Sequence, residues 1–321
     1  MASRHRREAS VAAAILLLLA ALAVVAPGFF VRENLSDLLL ANVPVLLIAI
    51  GATLVILTGE IDISVGSVFA ICGVVAGLAA HLGLPMLVIA LAVCTAGAIL
   101  GAANGALVAY VGLPSIVVTL ATLVAWRDAL RWATQGAWIQ DLPPAFQWLG
   151  LPQSTYPFVA CGIALILQVT VSWTLRNVAA GRAVYATGSD ADAARLAGFD
   201  TALVKLTVFA VGGSLTGLAA LLNAVRFNQI PSNAGLGLEM KVIAAVVVGG
   251  AAIRGGRGTL AGTLLGVTLL AIVGPALVFV GVSAYWERAI QGAIILSAVA
   301  ADAFRGWRAS LPPQAPAVAQ S

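Results

Sequence analysis

The sequence predicts an all-α, polytopic membrane protein of about ten transmembrane helices with both termini in the cytoplasm. Three observations carry that expectation. First, the chain is 61% hydrophobic and 9% charged with a mean hydropathy of +1.04, whereas a soluble domain carries about 25% charged residues. Second, its apolar runs are long enough to span a bilayer core, which takes about 20 residues each. Third, the lysines and arginines divide unevenly between alternate connections. With the N-terminus inside, Arg4, Arg6, Arg7, Arg176, Arg182, Arg195, Lys205, Arg254, Arg257, Arg305 and Arg308 lie inside, and Arg32, Arg127, Arg131, Arg226, Lys241 and Arg288 lie outside or flank it. An excess of cations inside is the normal sign of orientation.

In chain order, residues 1–10 form a cytoplasmic N-terminus, 11–303 the transmembrane domain and 304–321 a polar, Pro-rich tail read as disordered. The spans are placed at 11–30, 38–57, 64–80, 84–109, 114–131, 156–175, 206–225, 241–253, 260–281 and 287–303. The first is read as a retained span because Ala-Pro-Gly-Phe-Phe at 26–30 makes a poor cleavage site. Between 132 and 155, Trp132, Trp138 and Trp148, with Trp126 nearby, resemble an aromatic belt at one membrane face. Glycines at four-residue spacing (Gly97/Gly101/Gly105, Gly258/Gly262/Gly266, Gly73/Gly77 and Gly213/Gly217) predict closely packed helices. Cys72, Cys94 and Cys161 form no C-x-x-C pair, so neither a metal site nor a disulfide framework is indicated. The net charge of +4 is dispersed over loops and termini; it reports membrane orientation and not nucleic-acid binding.

Two polar interruptions and one polar loop stand out. The loop, 176–205, contains a short helix of about eight residues. Ser189 is its expected N-cap, Asp190 and Asp192 sit at its positive end, and Gly198 is its stop. Ala191, Ala193, Ala194 and Leu196 are good helix formers, and the apolar Leu196 and Phe199 suggest a partner protein; a capped surface turn is the alternative. The first interruption, Thr58–Gly66, holds Glu60, Asp62 and Ser64. Ser64 can cap the following helix, with Asp62 favourable at its N-terminus; a gate or an ion site is the functional alternative. The second, 248–259, is glycine-rich and basic but is no phosphate loop. Asn42, Asn104, Gln168 and Asn223 are amides at membrane depth, suited to interhelical hydrogen bonds. Asn42 and Asn104 are also candidates to line a polar pathway. Nothing pairs a nucleophile with a base, so an enzyme is not expected.

Three segments then bear a family resemblance. TGEIDISVGSVFAICGVVAG resembles the T-G-G-I-D-L-S-V-G-S segment of ribose-type sugar ABC-importer permeases, in the branched-chain amino acid/ribose permease superfamily. YATGSDADAARLAGF resembles their cytoplasmic loop, and GLGLEMKVIAAVVVGGAAIRGGRGTLAGTLLG their later glycine-rich segment. The departures are Glu60, where glycine is common, and Asp190, where asparagine is usual; rhamnose-type and autoinducer-2-type relatives share the pattern. The resemblance implies the permease subunit of an importer for a monosaccharide or similar small polar solute. It further implies a second permease subunit, identical or related, and a periplasmic or lipid-anchored sugar-binding protein. ATP and Mg would be held by a separate ATPase, with no cofactor on this chain. Ser189, Asp190, Ala193, Ala194, Leu196, Gly198 and Phe199 would form the coupling helix seated in that ATPase. The competing reading is a gradient-driven secondary transporter with Glu60 and Asp62 as its ion site.

Overall fold

The computed structural model describes residues 2–283 and single positions between 286 and 296, with side chains from residue 8 onward. The tenth expected span, 287–303, lies almost wholly outside the described residues, and the tail 304–321 entirely so. Eleven α-helices occur among them: α1 Ala2–Val25, α2 Arg32–Leu57, α3 Val65–His81, α4 Met86–Ala109, α5 Ser115–Thr134, α6 Tyr156–Asn177, α7 Ala179–Ser189, α8 Ala191–Leu196, α9 Thr201–Ala224, α10 Leu238–Val248 and α11 Leu260–Phe279. Six of these, α1, α2, α4, α6, α9 and α11, are long and apolar enough to cross a membrane. The apolar α3 is shorter, at 17 residues. α5 has the length, but its later turns carry Arg127, Asp128 and Arg131.

Two sets of cross-links define the ends of the bundle. At one end, Thr259 donates to Glu8 at 2.6 Å, Gly256 N–H donates to the Leu57 carbonyl at 2.9 Å, and Tyr185 O–H donates to the Gly258 carbonyl at 2.9 Å. The start of α1, the end of α2, helix α7 and the loop before α11 therefore share this end. At the other, Ile139 pairs with Ile230 as an isolated antiparallel bridge, Trp148 N–H donates to the Val225 carbonyl at 2.7 Å, and Phe29 meets Phe279 edge-on at 5.7 Å. Residue 8 and Tyr185 of α7 thus share one end.

The glycine stripes position the helices. A Cβ on Gly97, Gly101 or Gly217 would overlap a backbone carbonyl oxygen of the facing helix (Gly213, Phe209 and Val93 respectively), so α4 and α9 run backbone against backbone. Gly249, Gly262 and Gly266 bring α10 and α11 together in the same way. In lipid, where apolar burial between helices gains little, such close packing supplies much of the association. Hydrogen bonds add to it: Thr53 and Thr263 hydroxyls meet at 2.7 Å between α2 and α11, and Gln168 donates to the Leu260 carbonyl at 2.7 Å. Asn42 instead bonds its own helix, at the Leu38 carbonyl.

Two segments do not cross as whole helices. α10 has 11 residues, about 16 Å at 1.5 Å per residue. The stretch before it runs down the side of α3: Ile230 lies against Gly73 and Gly77, and Gly235 against Gly66. The start of α3 therefore meets the start of α10 inside the bundle. Arg127 reaches the same place from α5; it is 12 residues beyond Ser115, about 18 Å along the helix. α5 runs 20 residues, Ser115–Thr134, so the meeting point lies near mid-height in the bundle.

Replacing Gly97 with leucine is expected to force α4 from α9 and destabilise the protein by about 3 kcal/mol or more. Gly162→Ala, where an added methyl meets nothing within 4 Å, should be neutral. Thermal unfolding of both variants in nanodiscs checks this.

Candidate functional site

The first interruption (58–66), the polar loop (176–205) and the second interruption (248–259) lie far apart in sequence, yet they converge. After α2, the chain turns at Gly59, whose φ of +84° suits glycine, and is non-helical through 60–63. Its backbone is satisfied by neighbours. Ile61 N–H donates to Ser115 Oγ at 3.2 Å, and Thr119 donates to the Ile61 carbonyl at 3.3 Å. Non-helical backbone at membrane depth is tolerated only when protein supplies such partners.

The end of α7 closes this joint from below. A Cβ on Gly188 would overlap the Leu57 carbonyl oxygen and lie 2.7 Å from Gly256 N. Gly255, in the second interruption, faces Gly59 and the Gly188 carbonyl equally closely. Three chain segments thus touch through glycines, with no side chain between them.

Glu60 and Asp62 have separate partners. Glu60 forms an ion pair with Lys205 of α9 at 2.5 Å, with only 14% and 22% of the two side chains exposed. Asp62 Oδ1 accepts from both the amide and the hydroxyl of Ser64, at 2.9 and 2.6 Å, and Asn104 Nδ2 donates to Ser64 Oγ at 2.8 Å. Asp62 sits in the connection between α2 and α3 and is buried there. The cap of α3 therefore differs from expectation. Ser64 occupies the N-cap position without a side-chain capping bond; its hydroxyl joins Asp62 to Asn104 instead.

The 176–205 loop holds two helices where one was expected. α7 is the addition, with Gly181, Ala183, Val184 and Thr187 buried on one face. α8 has six residues, fewer than the expected eight, and its cap is Asp190 and not Ser189. Asp190 Oδ1 accepts from the amides of Asp192 and Ala193 at 3.0 Å each. The reason is that α7 extends through Ser189, so the first residue free to leave helical geometry is Asp190, at φ −161° and ψ 105°. Gly198, at φ +87°, ends α8 as expected. The expected coupling residues also divide. Ala194 is buried in its own chain, so bulk placed there would enter this fold before it reached a partner. Ala193 is exposed, Phe199 half-buried and Leu196 92% exposed. Arg195 pairs with Asp192 at 3.0 Å and donates to Thr201, which tethers α8 to the start of α9.

Asn42 stands apart from this assembly, on α2, and its Oδ1 is buried without a hydrogen-bond partner. Among the described residues no group of three or more His, Cys, Asp or Glu could hold a metal ion.

Neutralising one member of the Glu60–Lys205 pair leaves a half-buried charge unpaired. Glu60→Gln and Lys205→Gln are each expected to destabilise the protein by about 1–3 kcal/mol, with the double variant recovering much of the loss. A double-mutant cycle read by thermal unfolding checks it. Asp190→Ala should cost about 1 kcal/mol of helix stability and speed amide exchange at Asp192 and Ala193, while Ser189→Ala should leave those amides unchanged.

Residues 34–299 match the family model described as branched-chain amino acid transport system / permease component. The autoinducer 2 import system permease protein LsrC of Yersinia pseudotuberculosis serotype O:1b (strain IP 31758) is 35% identical over 93% of this chain and 85% of its own. LsrC of Yersinia pestis (strain Pestoides F) is 34% identical over the same shares. No solved structure matches. The match spans both interruptions, the 176–205 loop and all the long helices except α1 and the first two residues of α2. The chain is a multi-pass protein of the inner membrane and belongs to this family of ABC-importer permeases.

Proposed function

We propose that this permease forms the translocation pathway for a monosaccharide or a similar small polar solute, driven by a separate ATPase that docks on α8. The observation that carries the reading is Leu196. It is a leucine with 92% of its surface exposed, on a six-residue helix capped at both ends. A helix that short has little stability of its own, and its tether to α9 leaves the leucine free for a partner. In this reading the 176–205 loop and both termini face the cytoplasm. ATP and Mg belong to the ATPase, and a second permease subunit and an external binding protein complete the importer. The relatives' names add autoinducer 2 to the candidate solutes.

The geometry supports a route for coupling. Force on α8 passes to α9 through Arg195 and Thr201, and to α7 through the shared residues 189–191. One turn along α9, Lys205 holds Glu60. Four residues beyond Glu60, Ser64 ties the extended segment to Asn104 on α4. A shift of α8 would therefore move the joint between α2 and α3, where the pathway would open or close toward the cytoplasm.

Leu196→Arg is expected to reduce copurification with the ATPase and ATP-driven uptake at least tenfold, with thermal stability unchanged. Wild-type uptake and copurification in that variant would sink the docking site. Glu60→Gln should lower uptake only partly; complete loss, with a proton-dependent rate in the wild type, would favour a gradient-driven transporter.

A further inference from the structure

At the mid-height meeting of α3 and α10, two opposite charges face each other without closing. Arg127 Nη1 donates to the Ala234 carbonyl at 3.2 Å, and Glu239 Oε1 accepts from the Gly237 amide at 3.2 Å. Their second atoms, Arg127 Nη2 and Glu239 Oε2, are buried with no hydrogen-bond partner. Both converge on Gly66: a Cβ there would lie 2.5 Å from Glu239 Oε2 and 3.1 Å from Arg127 Nη2. Among the described residues no ion pair within 4 Å joins them. A purely structural pair at this depth gains most by closing, because each unmet charge is costly to desolvate. An open donor beside an open acceptor is what a hydroxyl group needs, since it accepts from one and donates to the other.

A second observation concerns what lies beside this place. A narrow cleft lined by Phe69, Asn223, Phe227, Gln229 and Ala234 lies between α3, the end of α9 and the 227–234 segment. Its wall includes Ala234, whose carbonyl Arg127 holds. Phe227 is half exposed, at 48%, on the side of the Ile139–Ile230 bridge. A cleft with amides and aromatic faces thus borders, at Ala234, the half-buried Arg127 and Glu239 side chains where α3 and α10 begin. Sites between discontinuous helices at mid-depth are a recurring arrangement in transporters.

We propose that Arg127 and Glu239, over Gly66, bind hydroxyl groups of a polyhydroxylated solute during its passage. This rests on the importer reading above and names its contact at mid-height. Arg127 Nη2 donates to a solute oxygen, and that hydroxyl, or the one beside it, donates to Glu239 Oε2. Loss of the hydroxyl leaves both charges buried and unmet, so the site discriminates against deoxygenated analogues.

The test uses membrane vesicles from the native host that hold the full assembly. Uptake of labelled ribose, rhamnose and autoinducer 2 is measured, and each sugar that enters is compared with its singly deoxygenated analogues. Glu239→Gln and Arg127→Gln are expected to reduce uptake of the full sugar at least tenfold. They should also shrink its advantage over the deoxy analogue whose missing hydroxyl meets the pair. Copurification with the ATPase should stay at wild-type level, and Arg127→Lys should recover part of the uptake. Wild-type uptake in both glutamine variants, equal loss of sugar and analogue, or loss of assembly would each overturn the site. ATP-driven uptake would survive in the wild type in all three cases, leaving the importer reading intact. No ATP-driven uptake of any probe by the wild type would overturn that reading and this one together.

Discussion

A peptide group that leaves a helix where packed chain shuts out water must find a partner in the protein, and the cost of leaving it unmet is several kcal/mol. This chain breaks its helices at two places, and the rest of the architecture follows from how those breaks are satisfied. At the first, α5 supplies the hydroxyls of Ser115 and Thr119 to both polar groups of Ile61. The second turns back on itself, where Ala252 N–H donates to the Arg257 carbonyl at 2.8 Å, and then bonds the first through Gly256 and Leu57. Each break is thus held by partners that are distant in sequence. The family's polar signatures fall at these breaks because hydroxyl, carboxylate and glycine are the groups such a joint requires.

Glycine enters twice, for two different reasons. Along α4 and α9 it permits straight helices to lie backbone to backbone, and no polar group is involved. At Gly59, Gly188 and Gly255 it lets three non-equivalent chain segments meet at a point. The first use sets a rigid frame. The second sets a joint whose parts fit in one arrangement only, because interiors packed this closely accept no added methyl without displacement.

Much of this was legible in the sequence, and what was not has identifiable causes. Hydropathy gave the long spans, and four-residue glycine spacing marked the faces that do pack. The two polar interruptions and the end of α8 at Gly198 were also readable. α7 was hidden because RNVAAGRAVYATGS is small and polar enough to pass for loop; its buried positions 181, 184 and 187 do share a helical face, and that spacing was the available signal. The misplaced cap followed directly, since Ser189 looks like a cap only if no helix precedes it. Lys205 was visible only as one cation among several. Its partner Glu60 is 145 residues away, and no local pattern encodes a pairing at that distance. Arg127 and Glu239 escaped for the same reason, although each is a charge beside an apolar run, which in membrane segments is itself a sign of function.

The joint also limits how the loop can act on the bundle. α7 touches the first interruption through Gly188 and the second through Gly188 and Tyr185. Gly255 in turn touches both Gly59 and the Gly188 carbonyl. A displacement of α7 of an ångström or more cannot relieve one contact and leave the others, since each of the three segments borders the remaining two. α2, α3, α10 and α11 all begin or end on those segments. The loop therefore does not lever a single helix. It bears on the common junction of four, and two of them, α3 and α10, start beside Arg127 and Glu239, near the middle of the bundle.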